Sequence, residues 1–503
     1  MENFGFLSIL PPLIAVLIAI RYRNVIIALF LGAFVGVTIL HGWNPIEGIS
    51  YLIKDYFFVQ VADSFNASVI VLLSFVGGFV ALITKSGGAA VLAQKSAHLV
   101  HNRRQVQVAA WLGGLSIFFS DLANALLLGP IFQPMTDRLK VSREKLAWIL
   151  DSTSSPVCIL VPFIGWGIYV MGLIQKQFEI LGIQESEWGA FIKAIPFQFY
   201  PLGVLLMVPL VAFLGVEFSA MYKAERRTLD TGETFWPGSV PMRPSETIEI
   251  SSEATPSGWI IGLPLLILFV CFFGLLAPLG FPFTQVSGSM IRMALSVGYF
   301  LGAMACLLMM VKSRIKTLGE ASKIYGSGMK DMFYILVVLV LAWSLSSVCK
   351  NMGTASYIVN LAQGTIPGWS VPLIIFLTGG CISFATGSSW GTFAILLPIA
   401  MPMAHSLGAP MYASIAAVLS GGLFGDHCSP ISDTTILSST GASCDHVDHV
   451  KTQLPYALTV ALASSLGYVV AGFVGSPLVL FLALGFLVLL VLLFGRLWGQ
   501  KLV

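Results

Sequence analysis

Long apolar stretches, repeated along the whole chain, are the feature that most limits its fold. Those at 24–43, 67–84, 258–280 and 476–494 come close to the roughly 20 apolar residues with which a helix crosses the hydrocarbon core of a bilayer. Only 10% of the residues are charged, whereas soluble domains carry about 25%. Because so few charges cannot cover a water-exposed surface, the sequence predicts an all-α integral membrane protein surrounded by a lipid bilayer.

Two apolar stretches differ from simple crossings. The stretches at 105–134 and 367–404 are apolar at both ends but contain polar, flexible residues in the middle, at 119–124 and 386–392. This pattern predicts two re-entrant helical hairpins, each of which enters the membrane and turns back. About 11 transmembrane helices are predicted beside them, at 5–20, 24–42, 67–84, 146–172, 194–216, 258–280, 290–311, 331–348, 412–440, 453–475 and 477–496.

The positions of Lys and Arg support the two hairpins. With the N-terminus outside, 22 of the 27 basic residues fall in loops predicted to be inside and 4 in loops predicted to be outside. If 105–134 crossed only once, the basic loops that flank it would lie on opposite faces and this asymmetry would be lost. We therefore expect a multi-pass protein of the bacterial inner (plasma) membrane with a cytoplasmic C-terminus. A net charge of +3 gives no reason to expect nucleic acid as a partner.

The two hairpins belong to an internal repeat. The segment Gly129–Leu139 resembles Leu397–Leu407, with both prolines, Ile, Met and the final Leu at a constant offset. Each half has five spans and one hairpin, and because five is odd, the second half is inverted. We predict a first inverted repeat at 1–216 and a second at 258–475. A cytoplasmic linker with little structure, 217–257, is expected to join them, and 476–503 forms an extra C-terminal helix.

Each half also contains a span that polar residues and a proline interrupt. These predicted broken helices, at 146–172 and 412–440, follow the hairpins directly. Proline removes a backbone donor and frees carbonyl groups, and unwound backbone at this depth is tolerated only where it is buried in protein or lines a cavity. Broken helices in inverted repeats are the architecture of alternating-access transporters, whereas channels do not require them.

The interrupted segments carry carboxylates at mid-membrane depth. Asp151, Asp426 and Asp433 lie in the broken helices, and Asp121 lies at a hairpin tip. A charged Asp at the centre of a membrane helix costs about 2.5–3.5 kcal/mol, which a bound cation or a proton would offset. Hard cations favour oxygen ligands, so we expect Na⁺ at Asp151 and Asp426 with neighbouring hydroxyls and carbonyls. Alternatively, each Asp could cap a helix or accept a hydrogen bond from another helix.

Other polar residues admit further interpretations. An intramembrane hydrolase would have to use His427 with Cys428 or Ser429, but neighbouring residues on a helix point apart and no oxyanion motif accompanies them, so no enzyme is predicted. His446 and His449 have metal-like spacing, but they lie in a polar loop and are interpreted as a solvated turn. No cofactor is expected apart from Na⁺ and H⁺ as transported or coupling ions.

Three segments resemble the NhaC family of Na⁺/H⁺ antiporters. They are GGLFGDHCSPISDTTILSSTGA at 421–442, ATGSSWGTFAILLP at 385–398 and SREKLAWILDSTSSP at 142–156. Because these segments lie in both halves, the resemblance covers the whole membrane domain. It implies the ion-transporter superfamily fold, Na⁺ coupling, an elevator-like movement and, because such a movement needs a fixed scaffold, a homodimer.

The resemblance also implies a set of ion- or substrate-binding residues. In the hairpin tips these are Asp121, Asn124, Ser388, Ser389 and Thr392; in the unwound segments they are Asp151, Ser152, Thr153, Asp426, Ser429, Asp433 and Thr434. At the first tip the chain has Ser120-Asp121-Leu122 where many relatives have two acidic residues and an aromatic. With one carboxylate fewer, the stoichiometry, the direction of transport and the substrate stay open. The expected function is Na⁺/H⁺ antiport, and the alternative is Na⁺-coupled transport or exchange of a small organic solute, carboxylate or amino-acid-like.

Overall fold

The fold is an assembly of membrane-length helices. A computed structural model describes residues 4–22, 24–88, 100–242, 258–281, 286–354, 357 and 366–501. In these parts of the chain, eight helices are long and apolar enough to cross a membrane, or ten if each of two bent helix pairs counts as one span. The bent pairs are Val25–Leu40 with Pro45–Ala62, at 114°, and Glu187–Phe197 with Phe199–Leu214, at 48°.

The first half contains the predicted hairpin and the predicted broken helix. Arg103–Ser116 and Asp121–Arg138 are the two arms of hairpin 1, and the broken helix is divided between Arg143–Ser152, Ser155–Cys158 and Gly165–Leu181. In chain order its helices are α1 (Leu10–Tyr22), α2 (Val25–Leu40), α3 (Pro45–Tyr51), α4 (Phe58–Ala62), α5 (Ser64–Lys85), α6 (Arg103–Ser116), α7 (Asp121–Arg138), α8 (Arg143–Ser152), α9 (Ser155–Cys158), α10 (Gly165–Leu181), α11 (Glu187–Ala194) and α12 (Phe199–Leu214).

After the linker, a hairpin is again followed by a broken helix. Hairpin 2 turns at Gly387, whose φ of 66° lies in the left-handed region that glycine tolerates best. The second broken helix unwinds between Cys428 and Asp433. The linker contains α13 (Ser219–Thr231). The helices after it are α14 (Trp259–Leu276), α15 (Gly288–Lys312), α16 (Leu318–Asp331), α17 (Phe333–Met352), α18 (Val371–Thr386), α19 (Ser389–Ser406), α20 (Met411–Cys428), α21 (Asp433–Gly441), α22 (His446–Val474) and α23 (Val479–Trp498).

The helix boundaries repeat with the offset seen in the sequence. The starts of α6, α7 and α8 (103, 121 and 143) recur 268 residues later as the starts of α18, α19 and α20 (371, 389 and 411), and the ends of α7 and α19 are also 268 residues apart. The correspondence stops at the broken helices. Helix α8 ends at Ser152, but α20 continues eight residues beyond the equivalent position, Ser420, so Asp151 and Asp426 are not equivalent residues of the repeat.

The linker is more ordered than the sequence suggested. Strand β1 (Val216–Phe218) pairs antiparallel with β2 (Gly499–Lys501), and α13 follows it directly. The expectation of little structure is therefore wrong for the first part of 217–257, whereas 243–257 lies outside the described residues.

Buried ion pairs explain the order of this first part of the linker. Lys145 pairs with Glu217 at 2.7 Å, and Arg227 holds Glu144 through two hydrogen bonds of 2.9 and 3.0 Å. These four side chains are nearly inaccessible to water. Because Glu144 and Lys145 belong to α8, the linker is fastened to the base of the first broken helix.

The last described part of the linker lies against the start of α22. Asp445, the N-cap of that helix, accepts hydrogen bonds from the backbone N–H groups of Val240, Val447 and Asp448. Burial on its own would raise the pKa of Asp445, but these N–H groups hold the pKa below its ordinary value. The linker thus contacts the first broken helix and the start of α22.

Hairpin 1 packs against the second broken helix through two glycines. A Cβ atom on Gly129 of α7 would collide with the backbone of Gly441 in α21, and a Cβ atom on Gly441 would collide with the backbone of Ala125. Only residues without a side chain permit such an approach. The hairpin of one half is therefore held against the broken helix of the other half.

Candidate functional site

A cavity of about 540 Å³ lies where the two hairpin tips meet the second broken helix. Its walls include residues 119–122 of hairpin 1, residues 386–390 of hairpin 2, and Asp426 with residues 431–434. Further wall residues are Val25, Val80 and Asp331, which are close in sequence to basic loops predicted to be cytoplasmic. One side of the cavity wall therefore consists of residues that are neighbours of those loops in the sequence.

The carboxylate of Asp426 lies in the cavity wall and is held by a hydroxyl of hairpin 2. It is 5% exposed and accepts a hydrogen bond of 3.0 Å from the Ser389 hydroxyl in hairpin 2. The preceding residue, Ser388, caps α19 by accepting a hydrogen bond from the Gly391 N–H at 3.2 Å. The cap fixes the start of α19, and this places Ser389 beside Asp426.

The positions of the four carboxylates within their helices divide them into two pairs. Asp121 and Asp433 are the first residues of α7 and α21, where the positive end of the helix dipole stabilises a negative charge. Asp151 and Asp426 lie in the last turns of α8 and α20, where the dipole is negative and carbonyl groups lack helical partners. A carboxylate is unfavourable there and a cation is favourable, so the cation-site interpretation is strongest for Asp151 and Asp426.

Asp151 is buried among polar side chains and is not part of the cavity wall. Its side chain is 1% exposed, and its Oδ2 accepts a hydrogen bond of 2.7 Å from the amide of Gln453 in α22. The same amide nitrogen donates to the carbonyl of His427 in α20. His449 Nε2 lies 2.9 Å from the amide oxygen of Gln453, and its other ring nitrogen lies 2.9 Å from the Ser439 hydroxyl. One amide group thus links the ends of both broken helices.

Several buried oxygens around Asp151 lack a well-aligned hydrogen bond. The hydroxyls of Thr434, Thr435 and Ser438 lie close to its carboxyl group. Nevertheless, Asp151 Oδ1, Thr435 Oγ1 and Ser438 Oγ form no hydrogen bond of good geometry. Buried polar atoms are nearly always satisfied in proteins. A group of buried oxygens from a carboxylate and hydroxyls, not fully used in well-aligned hydrogen bonds, has the ligand chemistry that a hard cation favours.

His449, Gln453, Thr435, Ser438 and Tyr200 were not among the residues expected in the site. The interpretation of His446 and His449 as a solvated turn is wrong, because both begin helix α22 and His449 is fully buried. One signal was available: His449 and Gln453 are four residues apart and therefore share a face at the start of a helix. His427 also belongs to the polar centre, since its ring nitrogens lie 2.9 Å from the hydroxyl of Tyr200 and 3.4 Å from the hydroxyl of Ser152.

The remaining expected residues mostly hold the unwound segments in place. The Asn124 amide donates to the carbonyls of Gly114 and Thr153, both at 2.9 Å, and so ties hairpin 1 to the first break. The Ser429 hydroxyl donates to the carbonyl of Phe384 at 2.9 Å and ties hairpin 2 to the second break. Thr153 and Thr392 donate to carbonyls within their own helices. Thr434 lines the cavity and contacts Ser432 at 3.0 Å.

The described residues contain no group of three or more His, Cys, Asp or Glu side chains arranged to hold a metal ion. The polar centre of the molecule consists instead of single carboxylates surrounded by hydroxyl, amide and carbonyl groups. Such sets suit Na⁺ better than a transition metal, since transition metals favour imidazole and thiolate ligands.

Comparison with known proteins identifies the family. A profile of the Na⁺/H⁺ antiporter family matches residues 157–473. The chain belongs to the Na⁺/H⁺ antiporter family. An uncharacterized protein of Haemophilus influenzae is 34% identical to this family member over 495 residues, which are 95% of this chain and 92% of that protein. The malate-2H⁺/Na⁺-lactate antiporter of Bacillus subtilis is 35% identical over 92 residues, 18% of this chain and 20% of that antiporter.

Solved structures share the fold of this antiporter-family chain. The YdaH transporter of Alcanivorax borkumensis superimposes with a TM-score of 0.61 at 19% sequence identity, over 86% of this chain and 90% of that transporter. The resemblance of the sequence to the NhaC family is thus confirmed, as is the prediction of a helical membrane-transporter fold with bent and interrupted helices. The chain is a membrane transporter of an antiporter family.

Proposed function

We propose that this protein exchanges Na⁺ for H⁺ across the bacterial inner membrane, with Asp426 and Asp151 as the carboxylates that bind the two cations alternately. The observation that carries the proposal is the position of both carboxylates at the ends of broken helices, surrounded by hydroxyl and carbonyl oxygens. Asp426 lies in the cavity wall and contacts Ser389. Asp151 lies next to the buried hydroxyls of Thr435 and Ser438.

Competition between the two cations follows from the cost of a buried charge. A carboxylate removed from water is stabilised either by a proton or by a metal cation, and binding of one excludes the other. Asp151 and Asp426 are also close enough to repel each other electrostatically. Loading the pair with Na⁺ therefore favours release of protons, and loading it with protons favours release of Na⁺.

In the proposed transport cycle, the hairpins and broken helices move together past a fixed scaffold. Packing supports a single moving body, because hairpin 1 contacts the second broken helix at Gly129 and Gly441. Asn124 ties hairpin 1 to the first break, and Ser429 ties hairpin 2 to the second. A fixed scaffold is simplest to provide in a homodimer, which we propose as the assembly, with the N-terminus outside and the C-terminus in the cytoplasm.

A second candidate is Na⁺-coupled transport of a small organic solute. The volume of the cavity favours it, because about 540 Å³ falls in the range of pockets that hold small molecules. The relative from Bacillus subtilis that is named as a malate/lactate antiporter belongs to the same group of similar sequences. In this case Na⁺ bound at Asp426 would couple the sodium gradient across the membrane to the movement of the solute.

Proton release from sealed vesicles tests the exchange directly. Purified full-length protein is reconstituted with a pH-sensitive dye inside, and Na⁺, Li⁺ or K⁺ is added outside. We expect Na⁺ to drive protons out of the vesicles and Asp426→Asn to reduce this signal to that of protein-free vesicles. Asp55→Asn, an exposed carboxylate far along the chain from both breaks, is the matched control and should retain the signal. A folded protein that binds Na⁺ but gives no pH response would rule out antiport in favour of the second candidate.

A further inference from the structure

The cavity is much larger than a sodium ion requires. A single water molecule occupies about 30 Å³ in the liquid, and the cavity volume of about 540 Å³ is many times that. Asp151, one of the two proposed ion ligands, is not part of its wall, and Asp426 occupies only one position in it. Most of the cavity is therefore unaccounted for by the proposed exchange.

The charged residues in the cavity wall are all negative. Asp121, Asp331, Asp426 and Asp433 line the cavity, and the described residues of its wall include no Lys, Arg or His. Asp331 and Asp433 are exposed. An organic anion entering this space would be repelled by several carboxylates and would find no cationic side chain to pair with.

Aromatic rings form a second part of the wall. The rings of Trp166 and Trp390 are 4.6 Å apart and tilted by 54°, and the side chains of Tyr334 and Phe119 also line the space. The electron-rich face of an aromatic ring attracts ammonium and guanidinium groups, with the strongest attraction at Trp. Carboxylates together with aromatic rings form the usual protein environment for such groups.

We infer that the cavity binds a small organic cation with an amine or guanidine group. The inference rests on the proposed transport function, because it assigns the solute that this transport site accepts beside Na⁺. The positive group would be attracted by Asp433 and Asp331, while the apolar part of the solute would lie against Trp390. Asp426 with Ser389 remains the Na⁺ position, so the organic cation and Na⁺ occupy separate parts of one site.

Binding of defined probes to purified full-length protein tests this assignment. The probes are 1,4-diaminobutane and n-butylguanidine, with succinate as an anion of similar length and 1,4-butanediol as a neutral one. We expect both cations to raise the melting temperature in a saturable manner, and succinate and the diol to leave it unchanged. Equal stabilisation by succinate, or no stabilisation by either cation in protein that responds to Na⁺, would overturn the inference.

A pair of variants locates the effect and separates it from sodium exchange. Asp331→Asn removes one cavity charge and should weaken binding of 1,4-diaminobutane by roughly two- to fivefold, as expected for a partly exposed charge pair. Asp55→Asn, the matched exposed carboxylate outside this cavity, should not change the binding. Unchanged binding in Asp331→Asn would overturn the placement of the organic cation beside Asp331.

The vesicle assay is run in parallel. Proton release with Na⁺ but no binding of the organic cations contradicts only this inference. Binding of the organic cations without proton release contradicts only the proposed exchange.

Discussion

Replacement of Gln453 by Met removes the hydrogen bonds that join the ends of the two broken helices. The amide of Gln453 donates to Asp151 Oδ2 at 2.7 Å and to the carbonyl of His427, and its oxygen lies 2.9 Å from His449 Nε2. Met has a similar length and is easily accommodated in a buried site. The variant therefore tests the hydrogen bonds with little change in packed volume.

The magnitude follows from the kind of bond that is lost. A hydrogen bond to a charged group contributes about 1.5–3 kcal/mol, and about 1.4 kcal/mol corresponds to a factor of ten in affinity. Without the amide, the ionised form of Asp151 is less stable and the orientation of its free Oδ1 is no longer fixed. We expect Na⁺ binding in Gln453→Met to be roughly ten- to a hundredfold weaker.

The assay follows the melting temperature of purified protein as Na⁺ is added, and the Na⁺ midpoint is the concentration that gives half of the maximal stabilisation. Gln198 supplies a matched control, because it is fully buried but neither atom of its amide has a hydrogen-bond partner. Gln198→Met should therefore leave the Na⁺ midpoint unchanged and the protein as stable as before, or more so. If Gln453→Met keeps the wild-type Na⁺ midpoint, or if both variants shift it equally, the bridging role of Gln453 is refuted.

Two further predictions concern stability. Lys145→Met should lower the free energy of unfolding by about 3–5 kcal/mol, because it leaves the buried carboxylate of Glu217 without its ion-pair partner. Lys145→Met/Glu217→Met should recover much of this loss. Arg226→Ala, in an exposed pair with Asp230, should give no measurable change in chemical denaturation. Gly129→Ala should lower the free energy of unfolding by about 1–3 kcal/mol and slow transport, since its methyl group would collide with the Gly441 backbone. Gly274→Ala, where a methyl group meets open space inside a helix, should lower neither the melting temperature nor the transport rate.

The membrane architecture could be predicted from the sequence because its physical signals are strong and local. Apolar length marks the crossings, and polar interruptions with prolines mark the hairpins and the breaks. The segment 105–134 contains the turn between α6 and α7, and 412–440 contains the break between α20 and α21. Asp426 and Ser389 were expected in the site, and the structure brings them into contact.

The surroundings of Asp151 could not be predicted in the same way. They depend on Gln453 and His449, which are more than 290 residues away in the sequence and reach Asp151 only through helix packing. In a polar segment next to a span, the sequence around a buried His has the same composition as the sequence around a solvated His, so burial cannot be predicted from it. The linker was misjudged for a related reason, since the charges of Glu217 and Arg227 suggest exposure when their partners in α8 are not known.

The eight additional residues of α20 have a consequence for the order in which ions can reach the site. At a rise of about 1.5 Å per residue they carry the break about 12 Å further along the helix than in the first half. Asp426 consequently lies in the cavity wall, whereas Asp151 does not. An ion arriving from the water would meet Asp426 first and could reach Asp151 only by passing it or by a rearrangement of the hairpin tips. If both carboxylates bind ions as proposed, Asp426 is the outer position and Asp151 the inner one, and loading should proceed in two kinetic phases.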